Sequence, residues 1–489
     1  MSPDVTLPGQ LDLIDGEFCT VALDGIPISH PDTAEVLSHA ATTTTDRIDD
    51  VVTAAAAVHR SRSWTERPVT DRVDFLLDLA ETVNSKTERL ALADAIDSGV
   101  PIGVTRMFAA GLSDVIRGAA DHARSAQDER QLPSPGGAAH LLRLPWGPAA
   151  VLAPFNAPAF TAVKKSAYAL AAGCPVVLKP SPHAPHAAGL LAEALLETMT
   201  AHQAPPGLFQ LVHGSASVGG QLASHPLVRC LTFTGSRRAG RAVAAAAVND
   251  MKALQLECGS NNPAVVRADA DLDATAQALV DGFTKLNGQW CESPGTVLVA
   301  EELHDDLLAA LLDRLTKLPA GSCLDPRTQL GPQANFDQAA AVDDAISRLQ
   351  ATGAKAHSAL TQHVGCGYFR GPTVITGADL TDISPEIFGP VLVLHPVADD
   401  AAALAAADTL EGGLAGYVFT TDVEAGITLG SRLTAGEVKI NGTSLLDLNE
   451  HSEQSFWAGS GQGGHGNADL YQFFTGTRIV GPDIPHAPI

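Results

Sequence analysis

The sequence lacks paired cysteines. Its seven cysteines, at positions 19, 174, 230, 258, 291, 323 and 366, are scattered and contain no Cys-x-x-Cys pair. An odd, scattered set argues against a disulfide framework and is typical of a reducing compartment. The first ten residues carry no basic patch or apolar core, and no uncharged apolar run reaches the ~18 residues that a membrane helix needs. We therefore expect a cytoplasmic protein without a signal peptide or a membrane segment.

Basic residues are also scarce. Lys and Arg number 31 against 55 Asp and Glu, so the formal net charge is -24 at pH 7. Such a surface repels phosphate backbones, and we expect no nucleic-acid partner. The 17 histidines form neither a His-Glu-x-x-His motif nor an ordered Cys/His set, and His183 and His186 stand among prolines. We therefore expect no metal site.

Short apolar runs alternate with helical patterns in two consecutive blocks. The first block, from about 148 to 257, contains apolar runs such as 149–153 between segments of helical periodicity. The second contains a helical pattern over 271–289 and a strand-like run at 296–299. Such alternation predicts parallel sheets with helices on both faces, so the fold class is α/β. The two blocks join near 257–270.

The region before the first block reads as short strands and then helices. Residues 12–37 carry turn pairs, whereas 46–60 and 70–97 have helical periodicity. Asp46 and Thr70 are the expected N-caps, because short polar side chains accept hydrogen bonds from the first free amides of a helix.

Two glycine segments are candidates for phosphate binding. A Gly-x-Gly-x-x-Gly match at 461–466 follows a polar stretch outside both blocks, so we interpret it as a structural loop rather than a dinucleotide site. The Phe-Thr-Gly-Ser segment at 233–236 is the better candidate, because it ends an apolar run and opens a helix whose free amides can bind a pyrophosphate. An ordinary N-cap by Ser236 explains the same residues.

Two residues are candidates for covalent chemistry. Cys291 follows a helical pattern among small turn residues, and Glu257 closes the first block beside Cys258 and Gly259. Each also has a structural interpretation, because buried cysteines are usually packing groups and buried glutamates usually belong to ion pairs. Taken singly, the residues leave both interpretations open.

Six segments together resemble the aldehyde dehydrogenase superfamily, in its order and across nearly the whole chain. They are Pro-Phe-Asn-Ala-Pro at 154–158, Val-Leu-Lys-Pro-Ser at 177–181, Phe-Thr-Gly-Ser at 233–236, Leu-Glu-Cys-Gly at 256–259, Gly-Gln-Trp-Cys at 288–291 and Glu-Ile-Phe-Gly-Pro at 386–390. Their order favours the catalytic interpretation of Cys291 and Glu257. The sequence departs from the family at Ser260, which replaces a glycine, and over 456–466, which replaces a Pro-Phe-Gly-Gly loop.

The resemblance implies an enzyme that oxidises an aldehyde to a carboxylic acid. The Cys291 thiolate would add to the carbonyl to give a thiohemiacetal, and hydride transfer to NAD or NADP would leave a thioester. Glu257 would activate the water that hydrolyses the thioester, and Asn156 with the Cys291 amide would bind the oxyanion. Two alternatives stay open: a CoA-acylating relative, which generally lacks the glutamate, and a non-catalytic scaffold or binding protein of the same fold.

The resemblance also implies a nicotinamide dinucleotide site. Lys179 would bind the adenosine ribose and Ser236 the pyrophosphate, while Glu386 would hold the nicotinamide ribose and Phe388 would contact the nicotinamide ring. The other expected cofactor residues are Pro154, Phe155, Ser181, Pro182, Gly219, Phe233, Gly235 and Gln338.

Pro182 bears on the choice between NAD and NADP. Many NAD-preferring relatives carry a glutamate at this position, which binds the ribose hydroxyls and repels a 2′-phosphate. Proline removes that contact and that obstacle, while Lys179, with Arg237 or Arg238, offers positive charge to a phosphate. We therefore expect NAD or NADP, with a slight preference for NADP.

The family architecture implies two doubly wound domains. A Rossmann-like cofactor domain would cover 1–122 and 146–258, and a catalytic domain would cover 259–455. Residues 123–145 and 470–489 would form a small β flap for oligomerisation, so a homodimer or homotetramer is expected.

The substrate is an aldehyde whose identity the sequence leaves open. Lys164 stands where the family often has a large apolar tunnel residue and would pair with an anion, although a solvated helix lysine is the alternative. Trp290 is the second expected substrate contact. Segments 259–263 and 235–240 resemble the branch that acts on α-ketoglutaric semialdehyde, and we therefore expect a polar aldehyde that carries a carboxylate.

Overall fold

The computed structural model describes residues 7–360, 367–449 and 452–483. The strands are β1 (Leu11–Ile14), β2 (Glu17–Thr20), β3 (Ala22–Ser29), β4 (Val36–Thr42), β5 (Glu129–Ser134), β6 (Gly137–Pro145), β7 (Ala149–Leu152), β8 (Val176–Lys179), β9 (Phe209–Leu211), β10 (Cys230–Gly235), β11 (Ala253–Cys258), β12 (Asn262–Val266), β13 (Pro294–Ala300), β14 (Lys355–His357), β15 (Thr373–Thr376), β16 (Val391–Val397), β17 (Ala415–Phe419), β18 (Glu437–Ile440), β19 (Gly461–Gln462) and β20 (Thr475–Val480). The helices are α1 (Thr45–Ser61), α2 (Val69–Asn84), α3 (Thr87–Ser98), α4 (Ile102–Ser125), α5 (Pro158–Ala172), α6 (His186–Ala201), α7 (Ala216–Ser224), α8 (Arg237–Ala247), α9 (Leu272–Thr284), α10 (His304–Leu315), α11 (Phe336–Ala351), α12 (Leu380–Ile383), α13 (Asp400–Ala407), α14 (Val423–Gly430) and α15 (Asn467–Phe473). Cys366 and positions 484–489 of the expected flap lie outside the described residues.

The first parallel sheet has the strand order β19-β11-β10-β7-β8-β9-β1-β2. Its strands from β11 to β9 run parallel, and β19, β1 and β2 add antiparallel pairs at the edges. Side chains along β8 alternate between two cores: Val176 and Leu178 pack into one, and Val177 packs into the other. Because both faces are covered, β7 and β8 are buried along their whole length and are apolar except for Lys179 at the end of β8, as the continuous apolar runs predict.

The second parallel sheet has the order β14-β15-β16-β13-β12-β17-β18. Its strands from β15 to β18 are parallel, and β14 pairs antiparallel at one edge. The same alternation holds, since Val297 and Val299 lie in one core and Leu298 in another. The prediction of two doubly wound parallel-sheet units is therefore confirmed.

The chain passes from the first sheet to the second within three residues. The strand β11 ends at Cys258 and β12 begins at Asn262, which pairs with Pro294 at the start of β13. The carboxyl end of β11 therefore lies close to the amino ends of β12 and β13. Residues from the two sheets meet at this junction.

A small antiparallel sheet joins distant parts of the chain. The strands β5 and β6 form a hairpin, and β20 pairs with β6 from Thr475 opposite Pro145 to Val480 opposite His140. This sheet confirms the expected small β element.

Several helix boundaries differ from the sequence-based expectation. The N-caps are Thr44 and Pro68, so the expected caps Asp46 and Thr70 are wrong by two residues. Asp46 instead lies in the first turn of α1, where a negative charge interacts favourably with the helix dipole. Pro68 precedes α2 with extended backbone, because its ring restricts φ.

Two predicted helical ranges are interrupted. The range 70–97 contains the separate helices α2 and α3, and the pattern over 271–289 ends as α-helix at Thr284. Beyond it, Leu286 and Asn287 have left-handed backbone with φ of 49° and 60°. No helix in the described part of the chain combines the length and apolarity required to cross a membrane.

Candidate active site

Cys291 follows a tight coil with left-handed backbone. Gly288 continues the left-handed run with φ of 76°, and a side chain there would overlap the backbone of Gly389. Residues in this conformation persist only where surrounding contacts hold them. The chain must therefore supply those contacts around residues 286–288.

Buried amide side chains hold the coil. Asn287 Nδ2 donates to the carbonyls of Gly99 and Pro332 at 2.8 and 2.7 Å. Gln289 Nε2 donates to the Ser98 carbonyl at 3.0 Å. The coil is thereby fixed against the end of α3 and the loop before α11.

Two asparagines fix the segment around Cys291 from different sheets. Asn156, after β7, donates through Nδ2 to the Gln289 carbonyl at 2.8 Å. Asn262, at the start of β12, donates to the carbonyls of Cys291 and Ser293, both at 2.8 Å. The sequence predicts Asn156 at this place, whereas it gives Asn262 no role.

The two expected reacting side chains are in contact. The Cys291 sulfur lies 3.8 Å from Oε1 of Glu257. Burial raises the pKa of the Cys291 thiol well above its usual value, and the charges of Glu257, Glu292 and Glu386 raise it further. Burial and the neighbouring carboxylates thus disfavour the thiolate, while the Glu257 carboxylate lies within reach of the thiol proton.

Glu257 stays ionised although it is buried. Burial alone would raise its pKa, but the close approach of His465 and the charges of Lys165 and Lys164 outweigh this effect and hold the pKa well below its usual range. Lys165 Nζ lies 3.6 Å and His465 Nδ1 lies 3.9 Å from Oε2 of Glu257. One carboxylate oxygen thus faces Cys291 and the other faces two basic side chains.

Lys165 lies on the buried side of α5. Its Nζ donates to Gln255 Oε1 at 2.6 Å, and the same oxygen accepts a hydrogen bond from Thr232 at 2.7 Å. Burial lowers the pKa of Lys165 to about 8, against the opposing effect of Glu257. Sequence reasoning missed this residue, although a lysine inside the otherwise small and apolar α5 is a usable signal.

The glycine segment at 461–466 is a structural part of this site. Its first residues form β19, which pairs with β11 so that Gly461 lies opposite Glu257. A side chain at Gly461 would overlap the Leu256 carbonyl. The interpretation as a structural loop is therefore confirmed, and the pairing places His465 beside Glu257, which the sequence does not indicate.

The expected adenosine residues lie at the carboxyl edge of the first sheet. Lys179 ends β8, and its Nζ donates to the Pro180 carbonyl at 2.9 Å. Burial lowers the pKa of Lys179 to about 8. Ser181 and Pro182 form the following turn, and Gly219 on α7 packs against the aliphatic part of the lysine.

The expected pyrophosphate residues lie on the adjacent strand. Phe233 and Gly235 end β10, and the Ser236 hydroxyl accepts a hydrogen bond from the Ala239 amide at 3.3 Å. Ser236 is therefore the N-cap of α8, and the amides of the first helical turn lie beside it. Ring atoms of Phe233 come within 2.6 Å of the place that a Gly235 side chain would occupy.

The arginines after Ser236 have different surroundings. Arg237 Nη1 forms an ion pair with Glu411 at 2.7 Å, and its Nη2 donates to the Glu411 carbonyl at 2.6 Å. Arg238 is exposed and forms no ion pair among the described residues. Of the two arginines considered for phosphate binding, Arg238 is the one without an ion-pair partner among the described residues.

Two aromatic side chains meet where the two sheets adjoin, one from the segment after β7 and one from the segment before β16. Phe155, which follows Pro154 after β7, and Phe388 have ring centroids 6.0 Å apart at 82°. Gln338, on α11, donates through Nε2 to the Phe388 carbonyl. The two rings form an apolar wall beside the Cys291 segment.

Glu386 packs against the crossing between the sheets. The backbone amide of Ser260 donates to its carboxylate, and a side chain at Gly259 would overlap it. Burial raises the pKa of Glu386 to about 7. Glycine at 259 is therefore required for this placement.

The opposite side of Cys291 is largely apolar. Trp290 packs with Val100 and Leu286, and further apolar side chains extend this cluster: Val104, Phe108 and Leu445. Lys164 is half-buried there, with Nζ 5.9 Å from the centre of the Phe160 ring. Lys164 makes no ion pair among the described residues, and burial lowers its pKa despite the charges of nearby carboxylates. It is therefore not a solvated surface lysine.

Metal-binding geometry is not found in the described ranges. Among residues 7–360, 367–449 and 452–483, no group of three or more His, Cys, Asp or Glu side chains is placed to hold a metal ion.

Comparison with known proteins places this arrangement in context. Residues 20–480 match the sequence profile of the aldehyde dehydrogenase family. Geranial dehydrogenase from Castellaniella defragrans is 32% identical over 431 residues, covering 86% of this chain and 88% of the relative. Betaine aldehyde dehydrogenase 1 from Rhizobium meliloti is 31% identical over 455 residues, covering 90% and 91%. A variant of aldehyde dehydrogenase C from Pseudomonas syringae, in complex with NAD+ and octanal, superposes with a TM-score of 0.88, 29% identity and 96% coverage of both chains.

Proposed function

This chain belongs to the aldehyde dehydrogenase family and is an NAD(P)-dependent enzyme that oxidises an aldehyde, and we propose that Cys291, Glu257 and Asn156 carry out the reaction. The observation that carries the proposal is the 3.8 Å contact between the Cys291 sulfur and the Glu257 carboxylate. A carboxylate in contact with the thiol can act as the base that takes the thiol proton as the sulfur attacks.

In the first half of the reaction, Glu257 takes the thiol proton and the Cys291 sulfur adds to the aldehyde carbon. The developing oxyanion is bound by the Cys291 amide and by the side-chain amide of Asn156, which has a second N–H beside the one given to Gln289. A bound nicotinamide dinucleotide supplies the acceptor for the hydride that leaves the thiohemiacetal carbon, and a thioester on Cys291 results.

In the second half, the thioester is hydrolysed. Once the thiol proton has left Glu257 for solvent, Glu257 accepts a proton from water as the water oxygen attacks the acyl carbon, and collapse of the tetrahedral intermediate breaks the carbon–sulfur bond. The carboxylic acid leaves and Cys291 is regenerated. This step distinguishes a hydrolytic enzyme from a CoA-acylating one, and Glu257 supplies the base that it needs.

The residues at the edge of the first sheet fit a nicotinamide dinucleotide. The Lys179 ammonium uses one donor on the Pro180 carbonyl, so other donors remain for the adenosine ribose. The start of α8 at Ser236 offers free amides to the pyrophosphate, and Phe155 and Phe388 offer an apolar wall to the nicotinamide. Glu386 and Gln338 would contact the second ribose.

We further propose that NADP is accepted and slightly preferred over NAD. Pro182 carries no charge that would repel a 2′-phosphate, while Lys179 offers a buried positive charge at the same edge. Arg238 is the exposed arginine that can contribute, since Arg237 is held by Glu411.

The substrate is proposed to be a polar aldehyde with an anionic group. Lys164 is a half-buried cation without an ion-pair partner in the described part of the chain, and it lies on the same side as Trp290. A carboxylate on the substrate would neutralise it. The names of the two relatives refer to geranial and to betaine aldehyde, so Lys164 is the feature of this chain that argues for an anion.

The assembly is proposed to be a homodimer or homotetramer in the cytoplasm. The cofactor domain would comprise 1–122 and 146–258, and the catalytic domain 259–455. The flap, 123–145 with 470–489, includes the edge strand β20, on which Ile479 and Val480 are 64% and 52% exposed. An exposed apolar edge strand favours pairing with another subunit.

A stopped-flow experiment with an aldehyde panel tests the function. We expect reduced nicotinamide to form, and the free acid to appear without added thiol. A requirement for coenzyme A would assign the acylating alternative instead. Absence of any reduced cofactor with every aldehyde would favour a non-catalytic protein. Selectivity for apolar aldehydes over semialdehyde acids in kcat/KM would refute the role given to Lys164.

A further inference from the structure

The segment from Gly461 to His465 lies along the edge of the cofactor sheet and is not accounted for by the chemistry above. The strand β19 pairs with β11 at Leu256 and Glu257. The His465 amide donates to the Gln454 carbonyl at 2.8 Å, which fixes the backbone just after the strand. His465 is therefore held beside Glu257 by backbone pairing on both sides.

His465 stands between two carboxylates of increasing exposure. Its Nδ1 lies 3.9 Å from Glu257 Oε2, and its Nε2 lies 3.9 Å from Asp447 Oδ1. The Glu257 side chain is 10% exposed, that of His465 21% and that of Asp447 29%. The three side chains thus lead from the buried reaction centre toward solvent.

Lys165, the other basic neighbour of Glu257, has no comparable path to solvent. Its side chain is 6% exposed, and its ammonium is held by Gln255, whose oxygen also binds Thr232. A proton that reached Lys165 would be enclosed by the core between α5 and the sheet. Its charge stabilises the Glu257 carboxylate without carrying a proton away.

Resting on the function proposed above, we propose that His465 is a positioning residue that takes from Glu257 the proton removed from the hydrolytic water and passes it through Asp447 to solvent. The water O–H bond breaks as the new C–O bond forms, and its proton moves to Glu257. Both gaps are 3.9 Å, longer than a hydrogen bond, so a bridging water carries this proton to His465 Nδ1, while the proton on Nε2 leaves through a second water to Asp447. Glu257 returns to its ionised form for the next turnover.

The electrostatics of the pair support this direction of transfer. Burial raises the pKa of Glu257, but the charges of Lys165 and Lys164 lower it even when His465 is uncharged, so a protonated Glu257 gives up its proton readily to a nearby acceptor. An imidazole has a donor and an acceptor nitrogen and suits this task. The charged groups around His465 are Glu257 on β11, Glu292 after Cys291, Asp447, and Asp469 on α15.

The experiment separates the two half-reactions in His465→Gln. We expect an unchanged burst of about one reduced nicotinamide per active site, followed by turnover about tenfold slower, a smaller loss than the roughly 10²–10⁴ attributed to a general base itself. In His465→Ala, added imidazole should restore turnover in proportion to its basic form. The matched control is His225→Gln, a histidine paired with Asp49 away from the site, which should behave as wild type.

Two results would overturn the proposal. One is full turnover in His465→Gln across pH 6 to 9; the other is slowed turnover in His465→Ala that imidazole does not restore at any pH. If His465→Gln also lost the burst, the Asp447→Asn variant would provide the test. Unchanged steady-state turnover in Asp447→Asn would then refute the proton path. Failure of the proposed function has a different signature, because wild type would then form no reduced cofactor at all.

Discussion

The carboxylate of Glu257, on the first sheet, lies 3.8 Å from the sulfur of Cys291, in the turn that leads into the second sheet. Glu257 is near the carboxyl end of β11, and Cys291 precedes β13. The contact exists because the chain crosses between the sheets directly after Glu257.

Replacing the nucleophile should separate chemistry from binding. In Cys291→Ala, aldehyde oxidation should be abolished while NAD(P) binding is retained, because the proposed covalent bond forms at the sulfur and the proposed dinucleotide contacts lie on other residues. Turnover is measured by nicotinamide absorbance and binding by fluorescence quenching. Cys19→Ala, at a partly exposed cysteine on β2, is the matched control. Residual full turnover in Cys291→Ala would contradict the assignment.

Glu257→Gln should stop the enzyme between the two half-reactions. We expect a burst of one reduced nicotinamide per site, followed by arrest, because the thioester forms but is not hydrolysed. Steady-state turnover should fall by about 10²–10⁴, since the base for hydrolysis is lost. Stopped-flow absorbance shows both phases. Steady-state rates equal to wild type would exclude Glu257 as the hydrolytic base.

The rate at which Cys291 is alkylated should depend on the charge of Glu257. Burial and then the Glu257 charge raise the pKa of the thiol, so the labelling rate with iodoacetamide should increase with pH well into the alkaline range. Glu257→Gln removes the charge of Glu257, so the pKa of the Cys291 thiol falls and the pH profile of the labelling rate should move to lower pH. Mass spectrometry measures the fraction of Cys291 that is labelled. The exposed Glu302→Gln is the control, and a profile unmoved by Glu257→Gln would be inconsistent with this origin of the shift.

Asn262→Ala should loosen the Cys291 segment. The fully buried Asn262 side chain donates to the Cys291 and Ser293 carbonyls and accepts from the Ala415 amide at 2.9 Å. Leaving these groups unpaired should lower the free energy of unfolding by about 1–3 kcal/mol and reduce kcat. Thermal and urea unfolding, with the exposed Asn249→Ala as control, test this. A wild-type kcat in a destabilised variant would show that Asn262 has no role in positioning Cys291.

Pro182→Glu should shift cofactor preference toward NAD. A carboxylate at this turn would accept hydrogen bonds from the ribose hydroxyls and repel a 2′-phosphate, so KM should fall for NAD and rise for NADP. Steady-state kinetics with both cofactors provide the measurement, and Pro182→Ala separates the charge from the loss of the ring. A strong wild-type preference for NAD that the glutamate leaves unchanged would show that this position does not set the choice.

Sequence patterns predicted much of this molecule because they are local. The apolar runs of β7 and β8 and the helix Pro158–Ala172 follow from periodicity and from the stop at Gly173. The candidate nucleophile and base followed from short motifs whose order matches a family. These signals need no knowledge of which strands become neighbours.

The remaining site residues depend on contacts between distant segments. His465 comes within 3.9 Å of Glu257 only because β19 pairs with β11, and two residues give that strand no recognisable pattern. Helical periodicity does not tell which of Lys164 and Lys165 faces the carboxylate. The left-handed backbone of Leu286 and Asn287 is likewise imposed by packing, since neither residue favours it.

The three-residue crossing between β11 and β12 also places Glu257 at the point of least displacement between the sheets. A rotation of one sheet relative to the other about Gly259–Asn261 would displace each atom in proportion to its distance from that axis. Lys179 and Ser236, on other strand ends, would move further than Glu257, which lies two residues from Gly259. Such a rotation would therefore change the cofactor-binding edge more than the surroundings of the Glu257 carboxylate.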